Sequence, residues 1–240
     1  MMAEQPGDMV SHAPTALTAE RWLEALRRAH PAVGELYAAL LQHPALHLVA
    51  ADLAQAYGAI GSSLEQGGTL YLCGNGGSFS DALHISGELL KSFVLPRPLS
   101  DELRARLRTE PGGAELAEHL QAGLRAHVLG CNNALASAVA NDIPVPGIGY
   151  AQELCALARP GDVLLGISTS GRARNVLLAA ATARAMGLTT IGLTGRAPNP
   201  LAAQAHISLC LPESATYRVQ ELHLALYHQL CLMLEARFFG

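Results

Sequence analysis

The chain has 240 residues, half of them hydrophobic but only 5% aromatic, with 16 Lys and Arg against 20 Asp and Glu for a formal net charge of −4. That length is enough to bury a full core in one domain, and the aromatic-poor, Ala- and Leu-rich profile suits helices packed over a sheet rather than an all-β protein. The negative balance gives no basic surface field, which argues against nucleic acid as the main partner.

Residues 1–17 carry Gly, Pro, Ser and acidic groups without a hydrophobic period, so a flexible tail is expected there and a signal peptide is not. Thr18 offers a helix N-cap with Glu20 close behind, and apolar periodicity follows through Leu26. A second helical stretch runs from about Pro31 to Leu64, with a break expected at Pro44 and a stop at Gln66-Gly67-Gly68. From there short apolar runs end in turns and lead into helices. Thr69–Cys73 precedes GNGGSFSD, Asp162–Ile167 precedes STSGRARN, and Thr189–Leu193 precedes TGRAPNP. His206–Leu211 and a weaker run at Ala126–Leu129 complete the candidate strands. Near-continuous apolar strands alternating with helices predict an α/β fold, a parallel sheet covered on both faces in a three-layer αβα sandwich. Residues 18–240 read as one domain. Residues 94–125 form a charged excursion, two short helices around Pro111-Gly112-Gly113. A solvated hairpin is the preferred reading, with a lid or oligomer contact as the alternative through Arg104, Arg106 and Arg108.

The five cysteines (73, 131, 155, 210 and 231) show no C-x-x-C spacing. They read as reduced, buried core thiols, which fits a cytoplasmic address. No run approaches the roughly 18 apolar residues of a membrane span.

Two strand-to-helix turns suit a phosphate ester: Gly74-Asn75-Gly76-Gly77-Ser78 and Ser168-Thr169-Ser170-Gly171. Free N–H groups and the positive helix end face an anion there, and small hydroxyl residues add donors without crowding it. Neither turn is followed by a P-loop lysine, and the first lacks dinucleotide G-x-G-x-x-G spacing. After the first turn, His84 and Glu88 are four apart and share a helix face. On the last helix Gln220 and His228 are eight apart and also share one. Unpaired burial of such groups on apolar helices would cost several kcal/mol. They suit either a divalent metal, zinc being favoured by the imidazoles, or an acid–base pair. Spacing alone leaves both open, while His119 and His223 read as a surface or core histidine.

The segments CGNGGSFSDALHISGELL, GDVLLGISTSGRARNVLLAAATARAMGLTTIGLTG and YRVQELHLALYHQLC resemble the sugar isomerase (SIS) domain, and more closely the sedoheptulose-7-phosphate (phosphoheptose) isomerase family. The resemblance implies the SIS fold and an aldose–ketose isomerisation through an enediolate. It implies that Ser78, Ser168, Thr169 and Ser170 hold the substrate phosphate and that Asn75 orients the sugar chain. Gly76, Gly77, Asn141, Asp142 and Gln220 are further expected substrate contacts. Glu88 matches the general base and His228 the general acid. His84, Glu88, Gln220 and His228 match the ligands of one Zn2+ per site. A homo-oligomer, expected to be a tetramer, follows from the same likeness, as does a product used for nucleotide-activated heptoses. There are departures: Ala173 replaces a phosphate-turn serine, and Lys91-Ser92 replaces a Gly-Arg pair, with Lys91 offering a cation in its place. These leave the configuration at C2 of the product open. The alternatives are a non-catalytic SIS-domain regulator, of the type associated with the DnaA replication initiator, and a sugar-phosphate sensor.

Overall fold

The computed structural model describes residues 18–240, so the tail expected at 1–17 lies outside the described residues. The chain opens with α1 (Ala19–Ala29), α2 (Pro31–Leu41), a 3₁₀ turn at Leu46–Val49 and α3 (Ala50–Glu65). Then come β1 (Leu70–Cys73), α4 (Gly77–Leu90), α5 (Asp101–Arg108), α6 (Gly113–His119), β2 (Ala126–Val128), α7 (Asn133–Asp142) and α8 (Gly149–Leu157). The remainder is β3 (Val163–Ser168), α9 (Arg174–Ala185), β4 (Thr189–Thr194), α10 (Pro200–Gln204), β5 (Ile207–Cys210) and α11 (Thr216–Phe239). Local chemistry explains several boundaries. The Thr18 hydroxyl accepts from the Arg21 N–H at 3.5 Å to cap α1, and Pro31 starts α2 where its missing N–H costs nothing. The expected break around Pro44 separates α2 from the 3₁₀ turn.

All five strands are parallel, in the order β2-β1-β3-β4-β5. Alternation of side chains sorts each strand between two layers. Leu70, Leu72, Val163, Leu165 and Ile167 join α2, α3, α4 and α11 in the larger core. Tyr71, Cys73 and Leu164 face α8, α9 and α10 in the smaller one. Burial on both faces is why the strands read as continuous apolar runs rather than alternating ones. The αβα sandwich expected from the sequence is therefore the architecture observed.

The expectation of five buried thiols needs correction. Cys73 and Cys231 are buried, Cys210 is half-buried, and Cys131 and Cys155 are exposed; all five are free. Cys131 follows β2 in a loop and Cys155 lies on the outer side of α8, positions that an apolar sequence context does not reveal. The excursion forms α5 and α6, which pack on one another, and α5 buries none of its residues. Arg104 is engaged within this hairpin, its Nε donating to the Ala117 carbonyl and its guanidinium facing Asp101.

Candidate active site

Strands β1 and β3 are neighbours in register from Leu70–Val163 to Cys73–Gly166. Because β1 connects to β2 on one side and β3 lies on the other, the strand order reverses between them. Ligands of open α/β sheets bind in the crevice at that reversal, beyond the carboxyl ends of the strands. Both serine-containing turns emerge there. Gly76 takes φ +54° as the N-cap of α4, a conformation that suits only glycine at low cost. It has no side chain to cap the helix, and the N–H groups of Ser78, Phe79 and Ser80 turn back onto the carbonyls of Asn75 and Gly76. Ser78 and Ser168 are buried beneath the crevice, Thr169 is half-buried and Ser170 exposed.

The two turns are clasped together. Asn75 Nδ2 donates to Asn175 Oδ1 at 2.8 Å, and Asn175 Nδ2 donates back to Asn75 Oδ1 at 2.8 Å. The Tyr150 hydroxyl donates to the Gly74 carbonyl and lies 3.3 Å from Asn75 Oδ1. Burial pushes the Tyr150 phenol up to about 12, so it remains a donor. Asn75, expected to orient the sugar, thus braces the first turn against α9, the helix that follows the second turn. Tyr150 and Asn175 also line an adjoining cavity of about 630 Å³ between α7 and α8. Neither was singled out from the sequence. Asn175 stands in the first turn of α9 directly after the second motif, a position that could have drawn attention; Tyr150 carries no local signal.

Helix α4 packs against α11, and this contact gathers the predicted acid–base residues. His84 Nε2 lies 3.1 Å from Glu88 Oε1 and 3.5 Å from His228 Nε2. The His84 side chain is 43% exposed and that of Glu88 17%, so the trio lies on an accessible face. Burial, and then the neighbouring His84, hold His228 below the ordinary imidazole pKa, with Glu88 opposing them. Tetrahedral zinc with bonds of about 2.0–2.1 Å would put its donors roughly 3.3 Å apart, so the two measured separations suit ligands on one ion. As a set, however, no three His, Cys, Asp or Glu side chains among the described residues are grouped so as to hold one metal ion together.

The other expected contacts are placed less uniformly. The Gln220 amide rests against Gly77, so closely that a Cβ there would come 2.0 Å from Gln220 Nε2. Gln220 therefore sits at the first serine-containing turn, at the opposite end of α4 from Glu88. Asn141 and Asp142 bond each other at 2.8 Å on the exposed end of α7. Neither lines the adjoining cavity. Lys91 turns its ammonium onto the Ser92 carbonyl at 2.8 Å.

The SIS domain family model matches residues 143–234, the part of the chain that carries β3, β4, β5 and the second serine-containing turn. A phosphoheptose isomerase of Akkermansia muciniphila is 32% identical over 196 residues, 82% of this chain and 90% of that protein. One of Thiobacillus denitrificans is 37% identical over 181 residues, covering 74% and 79%. The chain belongs to the phosphoheptose isomerase family. The solved structure of a phosphoheptose isomerase from Francisella tularensis superposes with a TM-score of 0.63 at 26% identity, over 91% of this chain and 98% of that one.

Proposed function

We propose that this chain interconverts sedoheptulose 7-phosphate and a D-glycero-heptose 7-phosphate, a step toward nucleotide-activated heptoses. The observation that carries the reading is the gathering of His84 and Glu88 of α4 with His228 of α11, on the helix that begins at the first serine-containing turn. The two clasped turns hold the ester and place the sugar chain along the crevice. The Glu88 carboxylate removes a proton from C1 of the ketose. The C–H electron pair forms the C1–C2 double bond of the enediolate, and the C2 carbonyl oxygen takes up negative charge. His228 donates its proton to that oxygen and then takes the proton from the C1 hydroxyl as the proton held by Glu88 returns to C2, leaving an aldehyde at C1. Retention of every acid–base residue favours an enzyme over the regulator or sensor.

His84, Glu88 and His228 are the groups that would hold Zn2+, whereas Gln220, expected as a fourth, rests against Gly77 at the other end of α4. The ion would supply Lewis-acid stabilisation of the developing oxygen charge. The donor types and the His84-centred separations support this cofactor. A homo-oligomer, with the tetramer of the resembled family as the expected size, is supported by exposed apolar side chains on the two helices that carry the trio. Leu83 is 45% exposed, Leu90 53% and Leu224 42%. A cytoplasmic setting accords with a phosphorylated substrate, and no described helix is long and apolar enough to cross a membrane.

The test is an NMR assay with sedoheptulose 7-phosphate, run with zinc and with a chelator. An aldose product establishes the isomerase, its configuration at C2 identifies the heptose, and loss with chelator assigns the metal. Phosphate binding without turnover in any metal condition would transfer the reading to the regulator.

A further inference from the structure

Resting on the isomerase reading, we propose that Tyr227 is a positioning residue for the reaction: its hydroxyl fixes His84 so that Nε2 of that ring faces Glu88 and His228. The Tyr227 hydroxyl lies 2.9 Å from His84 Nδ1, and the residue is only 2% exposed. His84 itself is on an accessible helix face, where Glu88 and His228 meet Nε2 but fixing the ring about χ2 needs a restraint at Nδ1 as well. The phenol supplies that restraint from beneath. A flipped imidazole would set a C–H against the hydroxyl and leave a buried polar group unmet.

The ring contacts act in the same sense. Tyr227 meets His84 edge-on, with centroids 5.5 Å apart at 73°. It meets its chain neighbour His228 at 5.0 Å and 85°. One side chain from the buried face of α11 therefore orients both imidazoles of the trio. The phenol reaches no atom of the phosphate turns among the described contacts, so its effect belongs to the reacting end of the sugar.

The test variant is Tyr227→Phe, which keeps the ring and removes the hydroxyl. We expect kcat for sedoheptulose 7-phosphate to fall about tenfold or more, with KM within twofold and the thermal midpoint nearly unchanged. The separating readout is long-range 1H–15N NMR of the His84 imidazole. Wild type should show a single tautomer with Nδ1 hydrogen-bonded, and Tyr227→Phe should show tautomer averaging. A His84 signature that does not move on substitution overturns the proposal, as does averaging already present in wild type, which needs no variant to fold. If the signature moves but wild type turns over no sedoheptulose 7-phosphate, the restraint on His84 stands and the isomerase reading falls.

Discussion

In the proposed reaction Glu88 and Asn175 would serve opposite ends of the substrate. Glu88 is the only carboxylate in contact with His84 among the described residues, so Glu88→Gln keeps the shape and removes the base. Turnover should fall by about 10²–10⁴-fold, while inorganic phosphate binds within twofold of wild type by calorimetry. Undiminished turnover would remove Glu88 from the proton-transfer role. Asn175 acts at the other end by holding Asn75 across the crevice through two 2.8 Å bonds. Asn175→Ala frees the first turn, and loss of one or two neutral hydrogen bonds, each worth about 1 kcal/mol net, should raise KM about three- to tenfold. Steady-state kinetics check this; a drop confined to kcat would contradict a role in phosphate placement. Ala173 matters here too, because one hydroxyl fewer in the second turn leaves more of the anchoring to backbone N–H groups.

At the level of elements, α4 is held at its far end by a buried ion pair that sequence spacing does not disclose. Arg97 and Glu235 are both fully buried and meet at 2.8 Å. The Arg97 guanidinium also donates to the carbonyls of Leu89 at 2.7 Å and Glu88 at 2.9 Å, closing the C-terminal end of α4. The Glu235 carboxylate accepts from the N–H groups of Phe93, Val94 and Leu95, so the start of the excursion is tied to α11. Arg97→Ala leaves a buried carboxylate without its cation and should cost about 3–5 kcal/mol in urea unfolding. Burial by itself would raise the Glu235 pKa, but the three N–H groups and Arg97 outweigh it and hold the carboxyl below its ordinary 4.5. The folded state then binds fewer protons than the unfolded one. The contribution is complete above about pH 4.5 and is lost as pH falls through the lowered folded value. Wild type should lose more stability than Glu235→Gln between pH 5 and pH 3, and equal losses would show that the pair carries no such linkage.

For the whole molecule, α4 and α11, the helices that carry the trio, also expose Leu83, Leu90 and Leu224. Chemistry through an enediolate gains from exclusion of water, and a second copy seated on α4 and α11 would supply that cover. Leu83→Glu together with Leu224→Glu should shift light-scattering mass to a smaller species and abolish turnover, with far-UV circular dichroism unchanged. An unaltered mass would place the oligomer contact elsewhere.

Much of this protein is legible in its sequence because the relevant signals are local. Apolar runs such as Leu164-Leu165 report a strand buried on both faces, hydroxyl-rich turns report helix ends open to anions, and the four-residue spacing of His84 and Glu88 reports a shared face. Tertiary structure decided what depends on distant chain segments meeting. It set Asn175 against Asn75, and Tyr227 beneath His84. It paired Arg97 with Glu235, 138 residues away. It also placed Gln220 at Gly77, although its spacing from His228 is compatible with a shared site. Helical periodicity determines which face a side chain occupies, but only the crossing of α4 and α11 determines which turn of the neighbouring helix it meets.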